Sequence, residues 1–414
     1  MATSYVMLSF EGPDVYSRAG GLGVRAAELS TALAARGAQT DLYFVGDPEL
    51  APTETPTPGL TWHRWCQWIS RYHPDGVYDG EWGKVLDYQR TIPQRVVDEH
   101  VKPAAERGGR VVVLAEEWQT TQTAIMIRQL ADVVGCGGAV DILWNANNVY
   151  GFDRIDWRRL QRATTVTTVS RWMKHMMAAV GQDPLIIPNG IPKARLAAKP
   201  PPKYVGEISR ALGAGIGLVK FGRFDPDKRW LMAVDAVAEL KRIGRRPKLV
   251  MRGGSEPHGN AVRERVRARG LSHHVVRSVP NGLAAAIASA VEDVVELQYF
   301  VSDADRDALY AAADAVLANS GREPFGLVGL EVMAVGGVAV TGATGEDYAL
   351  PFDNALVVDT NDGTELASYV ARLQDMPELQ KNIRARGLET AARFTWDHAV
   401  DILERKIEYV RLAR

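Results

Sequence analysis

The sequence predicts an α/β protein of two domains, each built around a mostly parallel sheet. Three observations carry this. Apolar β-rich runs alternate with helical runs along most of the chain, the pattern that folds into parallel sheets covered by helices. The 414 residues suffice for two domains of roughly 200 residues each. A break at 191–204 interrupts the alternation midway, and within it Lys199-Pro200-Pro201-Pro202-Lys203 reads as a stiff, extended linker. The expected boundaries are therefore an N-terminal domain at 1–192 and a C-terminal domain at 204–394.

In the first half, strands are expected at 5–10, 39–45, 110–114, 139–144, 164–169 and 185–187, with helices between several of them, for example 24–36. The segment 60–88 breaks the rhythm. It holds Trp62, Trp65, Trp68, Tyr72, Tyr78 and Trp82 among prolines and glycines, and reads as an aromatic hairpin or lid packed on the core. The other reading is a set of ring faces for stacking on sugars. In the second half, strands are expected at 217–221, 248–252, 295–300, 315–319, 338–341 and 356–359, and helices at 230–244, 378–393 and 396–412. No sequence repeat links the halves.

Composition narrows the function classes. Hydrophobic residues make up 46% and charged residues 24% of the chain, as in ordinary soluble globular proteins. A net charge of −1 argues against a dedicated nucleic-acid binder, which carries a basic excess. The two cysteines, Cys66 and Cys136, make neither a disulfide framework nor a zinc site, and the eight histidines form no pair with zinc spacing. His258, His273 and His274 fall in segments read as polar, solvated loops. The first ten residues read as a strand and not a signal peptide, and no stretch reaches the length of a membrane span. The expected location is the cytoplasm.

The most informative segment is Glu323-Pro324-Phe325-Gly326-Leu327-Val328-Gly329-Leu330-Glu331. Proline is favoured at a first helical position and pushes the residue before it into extended geometry, so a helix is expected just after Glu323. Glu323 then stands on the loop and Glu331 about two turns into the helix. The amides of Phe325, Gly326 and Leu327 would point from its N-terminus toward an anion such as a phosphate. The second segment, Gly222-Arg223-Phe224-Asp225-Pro226-Asp227-Lys228-Arg229, follows an apolar strand and precedes a helix. Arg223 and Lys228 thereby occupy a loop at the carboxyl end of a strand, where ligands bind in open α/β sheets. A guanidinium fork and an ammonium point charge suit a diphosphate. A third loop, Gly20-Gly21-Leu22-Gly23, lies between the first strand and the first helix. Glycine lets the backbone approach a phosphate closely, and Arg18 and Arg25 flank the loop.

Together these segments resemble the retaining glycosyltransferases of the GT-B fold, in the glycogen-synthase-like group with its sucrose, trehalose and mannosyl transferases. The likeness runs in order along most of the chain. It takes in Gly20–Gly23, Val169-Ser170, Ile187-Pro188-Asn189-Gly190-Ile191, Arg223 with Lys228, Glu323 with Glu331, and Phe394-Thr395-Trp396. It implies two Rossmann-like domains facing each other across a cleft that holds the active site, with a last helix (395–414) crossing back to the N-terminal domain. The implied reaction moves a hexose, glucose by the resemblance, from a UDP-, ADP- or GDP-sugar to a small-molecule, glycan or lipid-linked acceptor. Arg223, Lys228 and Glu323 are the implied catalytic residues. Gly21, Leu22, Gly23, Phe325, Gly326, Leu327 and Glu331 join Arg223 and Lys228 in holding the donor, with Glu331 on the ribose and Glu323 on the sugar.

The chain departs from that pattern in two places. Relatives carry a histidine that meets the transferred sugar, and here the matching string places Asn147 there. Asparagine can share hydrogen bonds with a hydroxyl but carries no proton at neutral pH. Where relatives have His-Asp-Trp, this chain has Glu116-Glu117-Trp118. Asn147 and Glu117 are the candidate acceptor and sugar ligands, Glu117 alternatively being a strand-end carboxylate bonded to backbone amides. Asp225-Pro226-Asp227 and Asp303-Ala304-Asp305 have the DxD spacing, but two carboxylates alone seldom hold magnesium, so no metal and no other obligatory cofactor is expected. The alternatives are a non-catalytic nucleotide-sugar sensor or scaffold, a phosphorylase, for which no pyridoxal lysine motif is present, and an epimerase.

Overall fold

The computed structural model describes residues 3–321, 323–342, 345 and 347–412. The chain divides into two compact units, 1–189 with 396–414, and 190–395. Among the described residues, unit 1 contains β1 (Thr3–Leu8), β2 (Thr40–Val45), β3 (Thr53–Thr57), β4 (Leu60–Trp65), β5 (Arg110–Glu116), β6 (Val140–Ala146), β7 (Thr165–Thr168) and β8 (Leu185–Ile186). They form one sheet in the order β3-β4-β2-β1-β5-β6-β7-β8. All neighbours run parallel except the β3–β4 hairpin. The inner strands are mostly apolar and buried along their whole length, as in a parallel sheet covered by helices on both faces.

Unit 2 contains β9 (Ile216–Phe221), β10 (Pro247–Arg252), β11 (His273–Val276), β12 (Val294–Leu297), β13 (Ala315–Ala318), β14 (Ala339–Thr341) and β15 (Leu356–Val357). These form a parallel sheet in the order β11-β12-β10-β9-β13-β14-β15. In both sheets the strand order reverses at the first strand of the unit. It turns at β1 between β2 and β5, and at β9 between β10 and β13. The loops leaving the carboxyl ends of β1 and β5, and of β9 and β13, therefore open at the switch points where such sheets bind ligands.

Several expectations are corrected. The proline run does not stay extended: Pro202 starts a helix, Pro202–Leu212, with proline at its tolerated first position. His273 and His274 lie in β11, not in a loop, and His273 stands 3.1 Å from the carboxylate of Glu296. The aromatic segment supplies β4, whose Trp62 packs edge-on against Phe44, whereas Trp68, Tyr72, Tyr78 and Trp82 remain exposed. The final helix, Trp396–Leu412, belongs to unit 1. There Trp396, Ala399, Val400, Leu403 and Ile407 join the core formed by β1, β2 and the helix Gly21–Ala35. Trp396 Nε1 donates to Glu28 at 2.5 Å, and Arg36 pairs with Asp401 at 2.7 Å.

Candidate active site

In unit 2 the residues singled out by sequence converge on the loops after β9 and β13. After β9, Asp225 accepts from the Asp227 amide at 2.8 Å and caps a single 3₁₀ turn, Pro226–Lys228. Trp230 Nε1 holds the carbonyl of Arg223 at 2.8 Å. A backbone bond from Gly321 to the carbonyl of Asp227, 2.8 Å, then ties this loop to the one after β13. The result is an ion pair across the switch point: Lys228 Nζ lies 2.7 Å from Glu323 Oε1. Burial raises the Glu323 carboxyl, but the charge of Lys228 and hydrogen bonds from Lys228 and Ser320 outweigh it and leave the group below the ordinary carboxylate range. Arg223 is exposed, and among the described residues its guanidinium meets no carboxylate.

The helix after Glu323 starts later than expected, at Leu327. Gly326 precedes it with φ 80°, a left-handed conformation that a continuing right-handed helix excludes. Phe325 is instead buried in an aromatic group with Tyr348 and Phe394, ring centroids 5.8 and 6.3 Å away, and the Tyr348 hydroxyl donates to the Gly326 carbonyl. The Phe325 amide thus lies ahead of the helix. The orphan amides of the first turn belong to Leu327, Val328 and Gly329, a shift of two residues from the expected set.

Glu331 sits on the second turn of that helix. Arg195 reaches it at 3.1 Å and Asp307 at 2.6 Å. Burial raises the Glu331 carboxyl above its usual range, with Arg195 and Arg306 working against the rise. Arg195, Arg306 and Arg229 escaped the sequence reading. Arg195 comes from a helix that carries no motif, and Arg306 follows the Asp303-Ala304-Asp305 string on its helix; only the fold brings both to Glu331. The guanidinium of Arg229 lies against Gly321 and Gly342, where a Cβ would come within 2.6 and 3.2 Å of it.

The glycine loop of unit 1 differs from expectation in its occupant. The helix does start at Gly21, but the carboxylate of Glu11 already sits at its end, accepting from the amides of Ala19 (3.2 Å), Gly20 (2.8 Å) and Gly23 (3.1 Å). Its other oxygen accepts from the Tyr78 hydroxyl at 2.6 Å. The Gly23 amide, assigned to a phosphate, is thereby engaged, and Leu22 turns its side chain into the core. Arg25 does not face a phosphate either. Its guanidinium is buried against Glu116 at 3.1 Å and Asn189 at 2.5 Å. The signal for Glu11 is a carboxylate placed between the end of β1 and the glycines.

At the ends of β5 and β6, Glu117 takes the structural alternative. It is buried, with φ 67°, and accepts from the amides of Asn147 (2.6 Å) and Asn148 (3.1 Å). Burial pushes its carboxyl up to about 8, and Glu116 adds to the rise against those bonds. The Asn147 side chain donates to Glu116 at 2.6 Å. Beside them the guanidinium of Arg154 stands over Trp118 (4.5 Å), Trp82 (5.2 Å) and Tyr150 (5.5 Å). Of the two DxD strings, the first caps its turn through Asp225 as described, and the second places Asp303 and Asp305 in the first turn of a helix whose cap is Ser302. Among the described residues no three His, Cys, Asp or Glu side chains gather as a metal ligand set, and no helix is long and apolar enough to cross a membrane.

Comparison with known proteins agrees with this layout. Residues 284–390, which include β13, Glu323 and Glu331, match the family model described as Glycosyl transferases group 1. A D-inositol 3-phosphate glycosyltransferase of Actinosynnema mirum is 28% identical over 226 residues, covering 53% of this chain and 50% of that protein. The chain therefore spans about half the length of curated relatives such as this one. With the D-inositol 3-phosphate glycosyltransferase of Stackebrandtia nassauensis the identity is 25% over 412 residues, 93% of this chain and 86% of that protein. Among solved structures, sucrose-phosphate synthase from Thermosynechococcus elongatus superposes with a TM-score of 0.69 at 20% identity, covering all of both chains. The shared fold is that of the GT-B glycosyltransferases, and the matched segment, with the paired basic and acidic loops at the switch point of unit 2, makes this chain similar to their glycogen-synthase-like group.

Proposed function

We propose that the protein transfers a hexose from a nucleoside diphosphate sugar to a hydroxyl acceptor with retention at the anomeric carbon. The supporting observation is the ion pair of Lys228 and Glu323 between two loops at the β9–β13 switch point, with Arg223 exposed on the first of them. In the reaction the bond from the anomeric carbon to the phosphate oxygen breaks and its electron pair stays with the diphosphate. Lys228 exchanges Glu323 for that growing charge, and Arg223 adds a second donor. This is electrostatic catalysis by groups already in position. Glu323, released, accepts from the sugar hydroxyls. The acceptor oxygen then bonds to carbon on the same face and passes its proton to the leaving phosphate, so Asn147 is not needed as a base. The Leu327–Gly329 amides hold phosphate oxygens, and Glu331 takes the ribose hydroxyls beside Arg195, whose buried Nε has no hydrogen-bond partner among the described residues.

For the acceptor we assign a hydroxylated ring bearing an anionic group. Trp82 and Tyr150 offer exposed ring faces, and Arg154 stands beside them with no ion pair among the described residues. The names of the relatives, D-inositol 3-phosphate glycosyltransferase and sucrose-phosphate synthase, point to the same class. The test is incubation with UDP-, ADP- and GDP-glucose, without acceptor and with phosphorylated and unphosphorylated sugars and cyclitols. Slow donor hydrolysis, accelerated by a phosphorylated acceptor with an α-linked product, is the expected result. A nucleotide that raises the melting temperature without any turnover of its sugar would make the protein a sensor and overturn the proposal.

A further inference from the structure

Lys220 is a charged residue in an otherwise apolar strand, and its side chain is 2% exposed. Strand β9 pairs with β13 only at Leu218 and Val219, opposite Ala315 and Val316. Beyond that point the backbone ladder stops and the lysine replaces it. Its Nζ donates to the carbonyl of Leu317 at 2.9 Å and to Oδ1 of Asn319 at 2.7 Å, and lies 5.1 Å from the centre of the Trp230 ring. One ammonium thus ties the ends of the two strands whose loops carry Arg223 and Lys228 on one side and Glu323 on the other. A buried charge is tolerated only with such partners.

We propose that Lys220 is a positioning residue that holds the two donor-binding loops at their working separation, and that its proton is taken up as a nucleoside diphosphate binds. The inference rests on the reading of unit 2 as the donor-binding domain. The charged groups facing Lys220 are Lys228 and Arg229 from the loop after β9, and Glu323 from the loop after β13. Its partner on β10 is the apolar Met251. Burial first, then Lys228 and Arg229, lower the ammonium to about 7, while Glu323 opposes them. Below that pH the tie is charged; above it the amine is neutral and both hydrogen bonds weaken. An arriving diphosphate adds negative charge at Lys228, which favours the protonated lysine. Nucleotide affinity and turnover both fall as pH rises through the neutral range.

The experiment is calorimetric titration of UDP, ADP and GDP into the full chain at pH 6.5, 7.5 and 8.5, in Hepes and in Tris, with kcat measured at the same pH values. Wild type is expected to take up a fraction of a proton at pH 7.5 and to lose several-fold in affinity by pH 8.5. Lys220→Met should lose that uptake and that slope, with kcat down at least tenfold. The comparison removes the nucleotide's own titration. Asn319→Asp sets a carboxylate against Nζ and should move the fall in affinity to higher pH, an effect that simple loosening of the fold would not give; it also decides the matter if Lys220→Met does not fold. Nucleotide binding with the same proton count and pH profile in wild type and Lys220→Met, or in wild type and Asn319→Asp, overturns the inference and leaves the donor reading standing. If none of the three nucleotides binds wild type, the donor reading falls and this one with it.

Discussion

Lys228 and Glu323 form an ion pair, and under the proposed reaction each exchanges the other for a part of the donor. Among the described residues Arg223 has no such partner, and it is exposed. Replacing Arg223 or Lys228 by Ala should reduce kcat far more than nucleoside diphosphate affinity, because each contact strengthens as the leaving group gains charge. A barrier increase of about 2–4 kcal/mol is expected. Steady-state kinetics beside nucleotide titrations check this, and near-normal kcat in both variants would reduce the pair to a surface loop. Glu117 gives a second residue-scale prediction. Its carboxyl is raised to about 8 when folded, against about 4.3 in an unfolded chain. The folded state therefore binds the extra proton, and stability falls as pH rises between those values. Glu117→Gln keeps an oxygen for the Asn147 and Asn148 amides but cannot ionise. Melting curves at pH 5.5 and 8.5 should show a smaller drop for the variant than for wild type; equal drops would mean that Glu117 does not hold its proton.

The helix Leu327–Ala334 is short, and its neighbours hold it. Phe325, Tyr348 and Phe394 pack at its entrance, and a Cβ on Gly329 would lie 2.3 Å from the Tyr348 hydroxyl. Glycine to alanine inside a helix is ordinarily stabilising by roughly 0.5–1 kcal/mol. Here the clash reverses the sign: Gly329→Ala should lower the melting temperature of unit 2 and weaken nucleotide binding together. Adding Tyr348→Phe removes the hydroxyl and should recover part of both losses. An additive double variant would show that the close approach is not what requires glycine.

The chain leaves unit 1 at residue 189 and returns to it at 396, so unit 1 is completed by a segment that follows unit 2 in the chain. Five apolar side chains of Trp396–Leu412 are buried in its core. Side chains of the size of Val400, Leu403 and Ile407 contribute about 1.5–3 kcal/mol each on full burial, and a domain's net stability is only about 5–15 kcal/mol. Truncation after residue 395 should therefore unfold unit 1 and leave unit 2 with cooperative melting. Calorimetry and limited proteolysis check this; resistance of 1–189 in the truncated chain would show that the helix is dispensable.

Sequence alone determined the α/β class, most strand positions, the loops that carry Arg223, Lys228 and Glu323, and the helix that carries Glu331. Apolar runs, proline and glycine are local signals, and strand-end loops inherit their place from them. It missed β3, β11 and the later start of the helix at Leu327, because β3 is short and exposed, because β11 is four residues long and opens on two histidines, and because the aromatic packing of Phe325 outweighs the helix-start preference of Pro324. What only the tertiary structure decided is which charges meet. Glu11 fills the glycine loop, Arg25 turns to Glu116, Arg195 comes to Glu331, and Lys220 bridges β9 to β13 across 97 residues of sequence. Local sequence sets where a charged side chain starts; strand order in the sheet sets what lies within a hydrogen bond of its end.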